Sequence, residues 1–280
     1  MAVTTSTRRA LSQPDGGERF RLLAAAYSVD AATYDEHWSP VILPAAESLI
    51  GALPLADAGR ILDVGVGAGG LVPAIRTLAP SASIVGIDAA EGMLRIAQRR
   101  RGLPGVVGDA SALPVADGSV DVAVLAFVLF HLADPLPGLA EVARTLRRGG
   151  RAGTVTWAEE HPTRAARVWD EALDSAGAPS APERSDHRHL DSPDAVAVLL
   201  GRCGLIPTQA WTEQIDYTYT REQFWRLRMG FGSPRWRLRR LDTAMQAEVL
   251  RQLRARLETL GPDDFHFRGR VVLAIAEQRG

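Results

Sequence analysis

Asp63-Val64-Gly65-Val66-Gly67-Ala68-Gly69-Gly70 decides the fold, because a short apolar strand precedes it and an amphipathic helix, residues 71–78, follows it. Three of its glycines, Gly65, Gly67 and Gly70, satisfy G-x-G-x-x-G, the fingerprint of dinucleotide-binding units. Glycines let the backbone approach a ligand closely, whatever that ligand is. The loop therefore predicts a nucleotide-type site and leaves its ligand open.

Strands and helices alternate on both sides of this loop. We expect strands at 61–64, 83–87, 106–107, 120–127 and 153–157, and helices at 20–53, 71–78, 91–101 and 136–146. Beyond Trp157 we expect a helix at 159–176, a loop at 177–193, a helix at 194–203, a strand at 206–219, an Arg-rich helical segment at 221–260 and a closing strand at 271–276. Such alternation predicts βαβ units and a parallel sheet. The first 20 or so residues have the composition of a disordered leader.

The composition excludes several classes of function. The 280 residues include 32 basic and 33 acidic ones, for a formal net charge of −1, and every basic residue is Arg. Near-neutral charge argues against nucleic acid or an anionic membrane as the main partner. Without Lys there is no Schiff-base or P-loop chemistry, and one cysteine, Cys203, allows no disulfide framework. The longest apolar run has nine residues, against roughly 20 for a membrane span, so we expect a cytoplasmic protein.

Acidic residues follow three successive strands. Asp63 would oppose the pyrophosphate of a dinucleotide, whereas it suits a ligand with an ammonium and a sulfonium group. Asp88 occupies the position that binds ribose hydroxyls in dinucleotides and in sulfonium-bearing cofactors alike. Asp109 offers a hydrogen-bond acceptor for an exocyclic amine. Met93 can cover an adenine face. Each acid alone could be a turn or helix cap, but three at the carboxyl edge of one sheet favour a ligand site.

With these residues the sequence resembles the class I S-adenosylmethionine-dependent methyltransferases, most closely the small-molecule and quinone-type branch. The matching stretches are 61–70, 84–94, 108–114, 117–121, 129–134 and 141–150. The resemblance implies a Rossmann-like α/β fold: a seven-stranded, mostly parallel sheet with an antiparallel last strand and helices on both faces. It also implies a helical N-terminal lid and a helical cap before the last strand.

The resemblance assigns S-adenosylmethionine as cofactor and gives individual residues their roles. Asp63, Gly65 and Gly67 would line its methionine moiety, Asp88 its ribose, and Met93, Asp109 and Ala110 its adenine. Ala126 and Phe127 would lie beside the reacting methyl, and Tyr34 would close over the cofactor from the lid. Many relatives carry a second histidine where this chain has Phe130, so we expect a more apolar pocket there.

Candidate general bases are His161, His131 and Glu159. His161 and Glu159 follow the expected fifth strand, where loops should form the acceptor pocket, while packing or a structural hydrogen bond would also account for His131. A carbon nucleophile or an acidic phenol would need no base. We expect no metal, because an Arg interrupts the only candidate ligand group, Asp186-His187-Arg188-His189 with Asp191, in a Pro-rich loop.

The expected organisation is a leader and lid at 1–40 and a methyltransferase domain at 41–280, with an acceptor-site cap at 221–264. Residues 221–260 contain ten Arg and four acids. We interpret them as an amphipathic cap with Arg stems over apolar surface. An RNA-binding face and a site in which Arg226, Arg228 or Arg235 pairs with an anionic acceptor are the competing interpretations.

The predicted function is methyl transfer to a small-molecule acceptor, without a nucleic-acid or membrane partner. The absence of Lys and Asn indicates a GC-rich bacterial genome, for which we expect a role in secondary metabolism. The alternatives are a nucleotide-dependent oxidoreductase, which Asp63 disfavours, and an RNA or protein methyltransferase. Amino-methylating RNA enzymes would carry a motif such as Asn-Pro-Pro-Tyr where this chain has Ala126-Phe127-Val128-Leu129. Homo-oligomerisation is left open, as is a protein that binds the cofactor for another purpose.

Overall fold

A seven-stranded sheet forms the centre of the protein in the computed structural model, which describes residues 16–181 and 190–279. The strands are β1 (Arg60–Val64), β2 (Ser83–Asp88), β3 (Gly105–Val107), β4 (Val120–Ala126), β5 (Leu146–His161), β6 (Leu205–Thr218) and β7 (His266–Gln278). Their order is β3-β2-β1-β4-β5-β7-β6. The first five strands pair in parallel, and β7 runs antiparallel to both β5 and β6. The predicted fold class is confirmed.

Helices pack around this sheet in the order that βαβ connections require. They are α1 (Gly16–Thr33), α2 (Ser39–Ala52), α3 (Val72–Leu78), α4 (Glu91–Arg101), α5 (Pro135–Thr145), α6 (Arg164–Ser175), α7 (Pro193–Arg202), α8 (Arg221–Gly230), α9 (Gly232–Leu238) and α10 (Thr243–Glu258). The apolar run of β4 is buried, as a central strand requires, with Val122, Val124 and Leu125 at most 2% exposed. Burial of such strands from both sides fixes the register in which the carboxyl ends of β1, β2 and β4 meet.

The N-terminal helical segment is interrupted by a π-helical turn, Tyr34–Trp38, between α1 and α2. The sequence predicted one helix at 20–53 and a disordered leader up to about residue 20. Helix α1 in fact begins at Gly16, so residues 16–20 of that leader are helical, and residues 1–15 lie outside the described part of the chain. The π turn shifts the helical phase, which lets Tyr34 and Trp38 line one cavity while Asp35 is buried elsewhere.

Strand β5 is longer than predicted. The expected helix at 159–176 was wrong for its first residues, because Glu159 and His161 continue the strand opposite Arg270 and Arg268 of β7. Helix α6 begins only after Thr163, whose hydroxyl accepts a hydrogen bond from the N–H of Ala166 (2.9 Å). A polar strand extension without an apolar alternation gives no local signal in the sequence, since the pairing partner is about a hundred residues away.

The segment between β6 and β7 carries α8, α9 and α10, where the sequence placed its helical cap. The division into leader, domain and cap stays a prediction. Most of the candidate metal loop, residues 182–189, lies outside the described residues, and no group of three metal-ligating side chains occurs within them. No helix in 16–181 or 190–279 is both long and apolar enough to cross a membrane.

Candidate active site

A cavity lies at the carboxyl edge of the sheet, beside the ends of β1, β2 and β4. Its interior volume is about 120 Å³, and about 840 Å³ is reached only when the space open to solvent is included. Its lining comes from α1, the π turn, the glycine loop, the end of β2 and the segment after β4. This is the edge at which open α/β sheets bind ligands.

The glycine loop and Asp88 form one hydrogen-bonded unit. The N–H of Gly67 donates to Oδ2 of Asp88 (2.8 Å), and the N–H of Ala90 donates to Oδ1 (2.7 Å). Gly65 is in the left-handed region, with φ +71°, and a Cβ there would lie 2.3 Å from Cγ2 of Val128. A side chain at Gly65 would therefore clash and be strained at once. The hydrogen bond from Gly67 therefore joins the glycine loop to Asp88, the residue expected to bind ribose, at the wall of the cavity.

Asp63 is buried near the end of β1, 2% exposed, close to Asp88 but not among the residues that line the cavity. Burial, and to a lesser extent the neighbouring carboxyl of Asp88, raises the pKa of Asp63 to about 7. Burial also raises the pKa of Asp88, against the effect of the two N–H groups that it accepts from. A positive charge bound beside these two neighbouring acids would favour their ionised forms and lower both pKa values.

The structure brings most of the predicted cofactor residues to this cavity. Tyr34, Gly65, Gly67, Asp88, Met93, Ala110 and Ala126 line it. Asp63 and Asp109 do not. Asp63 is buried behind the lining residues, and Asp109 lies after β3, where its Oδ1 accepts the N–H of Ser111 (2.8 Å) and stabilises its own turn. The roles of these residues toward a ligand stay predictions.

The lid contributes two tyrosines, one of which the sequence did not single out. Tyr27 of α1 lines the cavity, and its hydroxyl lies 3.1 Å from Nε2 of His131 in the turn after β4. Tyr34 is partly buried at the wall of the cavity, and desolvation, followed by its neighbours Tyr27 and Asp88, holds its pKa far above the usual range. Tyr34 therefore stays protonated over the two acids. The contact between Tyr27 and His131 spans 104 residues, too far for a local sequence pattern to reveal.

Aromatic rings close the end of the cavity that lies beside β4. We define the aromatic wall as Tyr27, Tyr34, Trp38, Phe127, Trp157, Phe231 and Phe267, which form a continuous chain of ring contacts with centroids 5.2–6.3 Å apart. It joins the lid, the sheet and the first cap helices. Phe127 has φ +59°, the one left-handed residue other than glycine in the described chain. Such strain in a bulky residue marks a position that its surroundings over-determine.

Two of the predicted bases lie away from the cavity. His161 and Glu159 sit near the end of β5, with Nε2 of His161 3.3 Å from Oε1 of Glu159 and both side chains about half exposed or more. Neither lines the cavity, because β5 continues past the point where the sequence placed a loop. Their catalytic role stays a prediction that this placement does not favour. His131, the third candidate, does line the cavity.

The arginines proposed to hold an anionic acceptor are engaged elsewhere. Arg226 pairs with Glu222 (2.7 Å), and Arg235 pairs with the buried Asp30 of α1 (2.5 Å). Arg228 packs over the ring of Phe224, with 5.2 Å from its Cζ to the ring centroid. None of the three lines the cavity. Their positions favour the interpretation of the cap as an amphipathic cover.

Polar contacts hold the lid against both of its neighbours. Asp30 pairs with Arg235 of α9 and also accepts the N–H of Gly232 (3.0 Å). Asp35, in the π turn, pairs with Arg100 and Arg101 of α4. These contacts fix α1 between the sheet layer and the cap, over the cavity.

Comparison with known proteins is consistent with this site. Residues 62–153 match the family described as "Methyltransferase domain". A demethylmenaquinone methyltransferase of Mycobacterium sp. (strain KMS) is 41% identical over 100 residues, 36% of this chain and 42% of the relative. A malonyl-[acyl-carrier protein] O-methyltransferase of Methylococcus capsulatus is 39% identical over 105 residues, 36% and 38% of the two chains. This chain thus spans less than half of the length of the curated relatives it matches.

The same fold occurs in a solved structure with the expected cofactor. A phosphoethanolamine N-methyltransferase 2 of Haemonchus contortus, in complex with S-adenosyl-L-methionine, superimposes with a TM-score of 0.54 at 16% identity, covering 93% of this chain and 60% of the other. That likeness concerns the fold. The resemblance made on the sequence is confirmed by the family match, over residues 62–153, from β1 into β5.

Proposed function

We propose that this chain, of which residues 62–153 match a methyltransferase domain, transfers the methyl group of S-adenosylmethionine to a small-molecule acceptor. The cofactor supplies an activated methyl on a sulfonium, so the protein has to bind, orient and exclude water. Asp63 and the glycine loop would hold the methionine moiety. Asp88 would accept from the ribose hydroxyls, and Met93 with Ala110 would enclose the adenine.

One observation carries this proposal: the buried carboxyl of Asp88 lines the cavity and is hydrogen-bonded to the glycine loop, and the buried Asp63 lies close enough to feel its charge. A cofactor with an ammonium and a sulfonium gains from this charge, whereas the pyrophosphate of NAD would be repelled. The apolar burial that raises the pKa of Asp63 would be offset by the incoming positive charge. The cavity therefore favours a methyl donor over the nucleotide-dependent oxidoreductase.

A small acceptor fits the enclosure better than a macromolecule does. The cavity is covered by α1 and bordered by the aromatic wall, and three arginines of the cap are engaged within the protein, Arg226 with Glu222, Arg235 with Asp30 and Arg228 over the ring of Phe224. The two relatives act, by their names, on demethylmenaquinone and on malonyl-[acyl-carrier protein]. We propose a comparable small acyl or ring compound, a cytoplasmic location and, from the Lys- and Asn-free composition, a role in bacterial secondary metabolism.

Isothermal titration calorimetry of the full chain with S-adenosylmethionine, S-adenosylhomocysteine and NAD tests the binding half of this proposal. We expect the first two to bind and NAD to give no heat. Asp88→Ala should weaken both by at least tenfold, about 1.4 kcal/mol, since it removes the ribose acceptor and the support of the glycine loop. Binding of NAD in place of the sulfonium compound would contradict the proposal, as would binding without methyl transfer to any member of a broad acceptor panel.

A further inference from the structure

We propose that strand β6 is a dimer interface on which β6 of a second copy of this chain pairs antiparallel, so that two seven-stranded sheets join into one. This inference goes beyond the proposed function and does not depend on it. It concerns the edge of the sheet that lies opposite β3.

The two edges of the sheet differ in length. Strands β3 and β6 stand at the ends of the strand order, and β3 has three residues whereas β6 has 14. An uncovered edge exposes a row of backbone groups to other chains, and proteins commonly blunt it by keeping the edge strand short. Most strands have about 5–6 residues. Brevity therefore protects β3, while β6 presents an edge of more than twice the usual length.

The outer backbone groups of β6 have no partner in the described chain. Strand β6 pairs with β7 on one side, and successive residues of an antiparallel strand direct their N–H and C=O groups alternately to its two sides. Across residues 16–181 and 190–279, the backbone of 205–218 makes no hydrogen bond outside the ladder with β7. The groups on the other side are available to a second strand.

The side chains leave this edge open as well. Residues 206–210 are all exposed, although successive residues of a strand point to opposite faces, so neither face is covered there. Pro207 and the bulge beside it are features that discourage pairing at the start of an edge strand. Residues 209–218 contain no proline, no basic residue and no further bulge against β7. This longer part of β6 is the part suited to pairing.

Self-pairing of β6 is free of opposed charges in a register that uses the whole strand. With Thr212 opposite Thr212 of the second copy, residues 206–218 overlap completely. Glu213 then lies opposite Trp211, and Asp216 opposite Thr208, of the second copy. A pairing centred on Glu213 would oppose two acids, which destabilises a sheet. Because a two-fold axis makes every contact twice, a second copy supplies the complementary strand by itself.

The interface would leave the cavity of each copy open. Strands β5 and β7 separate β6 from β4, and no residue of β6 lines the cavity. Substitutions on β6 can therefore test association without changing cofactor binding.

Sedimentation equilibrium of the full chain tests the association. We expect twice the mass of one chain for the wild type, and an association at least tenfold weaker for Thr212→Lys, which places two ammonium groups opposite each other at the two-fold axis. Thr77→Lys, an exposed change on α3, is the matched control and should remain dimeric. A wild type that stays monomeric would overturn the proposal. So would a Thr212→Lys variant that associates as strongly as the wild type.

Disulfide cross-linking tests the register with variants that add no charge to the strand. In a Cys203→Ser background, which removes the one native cysteine, we expect Thr212→Cys to form a covalent dimer under mild oxidation. The Cα atoms of directly opposed residues lie about 4.5–5.5 Å apart, within the range that a disulfide spans. Gln214→Cys is the control, since its counterpart in the second copy would lie four residues along the strand, about 13 Å away. Cross-linking of Gln214→Cys as readily as of Thr212→Cys would contradict the register, and no cross-linking of either would contradict the dimer.

Discussion

Asp63 illustrates how one buried acid can serve binding at the expense of stability. Its pKa of about 7, against 3.8 for an exposed carboxyl, means that the folded protein holds a proton there which the unfolded chain releases. Stability from this group is thus full at low pH and falls as pH rises from about 4 to about 7, by up to about 1.4 kcal/mol per pH unit. A bound ammonium group would favour the ionised carboxylate of Asp63 and so offset this loss of folding stability.

Asp63→Asn should therefore separate the two roles. We expect the unliganded variant to be more stable than the wild type at pH 8, and its free energy of unfolding to be less dependent on pH between 5 and 7. Urea unfolding at several pH values measures both. The variant should also bind S-adenosylmethionine at least tenfold more weakly, about 1.4 kcal/mol. A wild type and variant with parallel pH profiles would show that Asp63 is already ionised in the free protein.

At position 127 we expect a glycine variant to be more stable than an alanine variant, the reverse of the order usual in helices and strands. Its ring is 6% exposed and its φ is +59°, so loss of the ring costs about 3–5 kcal/mol in either variant. Glycine additionally relieves the left-handed backbone, worth roughly 1 kcal/mol. We expect Phe127→Gly to unfold at higher urea than Phe127→Ala. The opposite order would mean that the backbone relaxes when the ring is removed.

At the level of single residues, the sequence predicted where the acidic residues and glycines after β1 and β2 lie, but it did not predict which side chains contact each other. Asp63, Asp88 and Gly65 could be placed from a strand followed by a turn, because that chemistry is local. The contact between Tyr27 and His131 depends on how the lid docks across the sheet, which no spacing in the chain encodes. His161 was misplaced for a related reason: its neighbours in the strand are supplied by β7.

Elements were predicted best where apolar periodicity and end signals coincide. Helix α4 was placed to the residue, with Gly102 in the left-handed conformation as its C-cap. Strands β5 and β7 were too short in the prediction, because their ends are held by pairing with distant strands: the end of β5 with β7, its start with β4, and the start of β7 with β6. The π turn between α1 and α2 could not be foreseen, since its phase shift is set by the groups that Tyr34 and Asp35 meet.

The docking of α1 on α4 depends on a glycine. A Cβ at Gly92 would lie 2.1 Å from the carbonyl oxygen of Ser28, so Gly92→Ala should displace the lid while the sheet stays folded. We expect hydrogen exchange in residues 16–33 to rise and the affinity for S-adenosylhomocysteine to fall by about tenfold, 1.4 kcal/mol.

Gly51→Ala is the control for this lid variant. Gly51 lies in α2, and a Cβ there would have no atom within 4 Å. Alanine should leave cofactor affinity unchanged and stabilise the helix by up to about 1 kcal/mol. Matching losses of affinity in the two variants would show that α1 docking is not what Gly92 protects.

For the molecule as a whole, the pair of Asp30 and Arg235 connects lid and cap. Asp30→Asn should weaken that connection, since it leaves Arg235, whose side chain is 15% exposed, without its charge partner. We expect faster dissociation of S-adenosylhomocysteine in stopped-flow experiments, together with faster hydrogen exchange in residues 16–33 and 230–238.

The exposed pair of Arg226 and Glu222 on α8 provides the comparison. Glu222→Gln removes one charge from a surface ion pair, which is worth at most about 1 kcal/mol, and should leave dissociation unchanged. If both variants release the ligand at the wild-type rate, closure does not depend on the contact between lid and cap.

The pair of Asp30 and Arg235 also limits which segments of this protein can be exchanged with those of a relative. Residues 62–153 carry the matched domain, while Asp30 on one side and Arg235 on the other belong to segments outside it. A chimera that receives a foreign lid would place new side chains against an unmatched α9, and a foreign cap would do the same to α1. We therefore expect exchange between relatives to succeed only when both segments are transferred together, although β1 to β6 lie between them in the sequence.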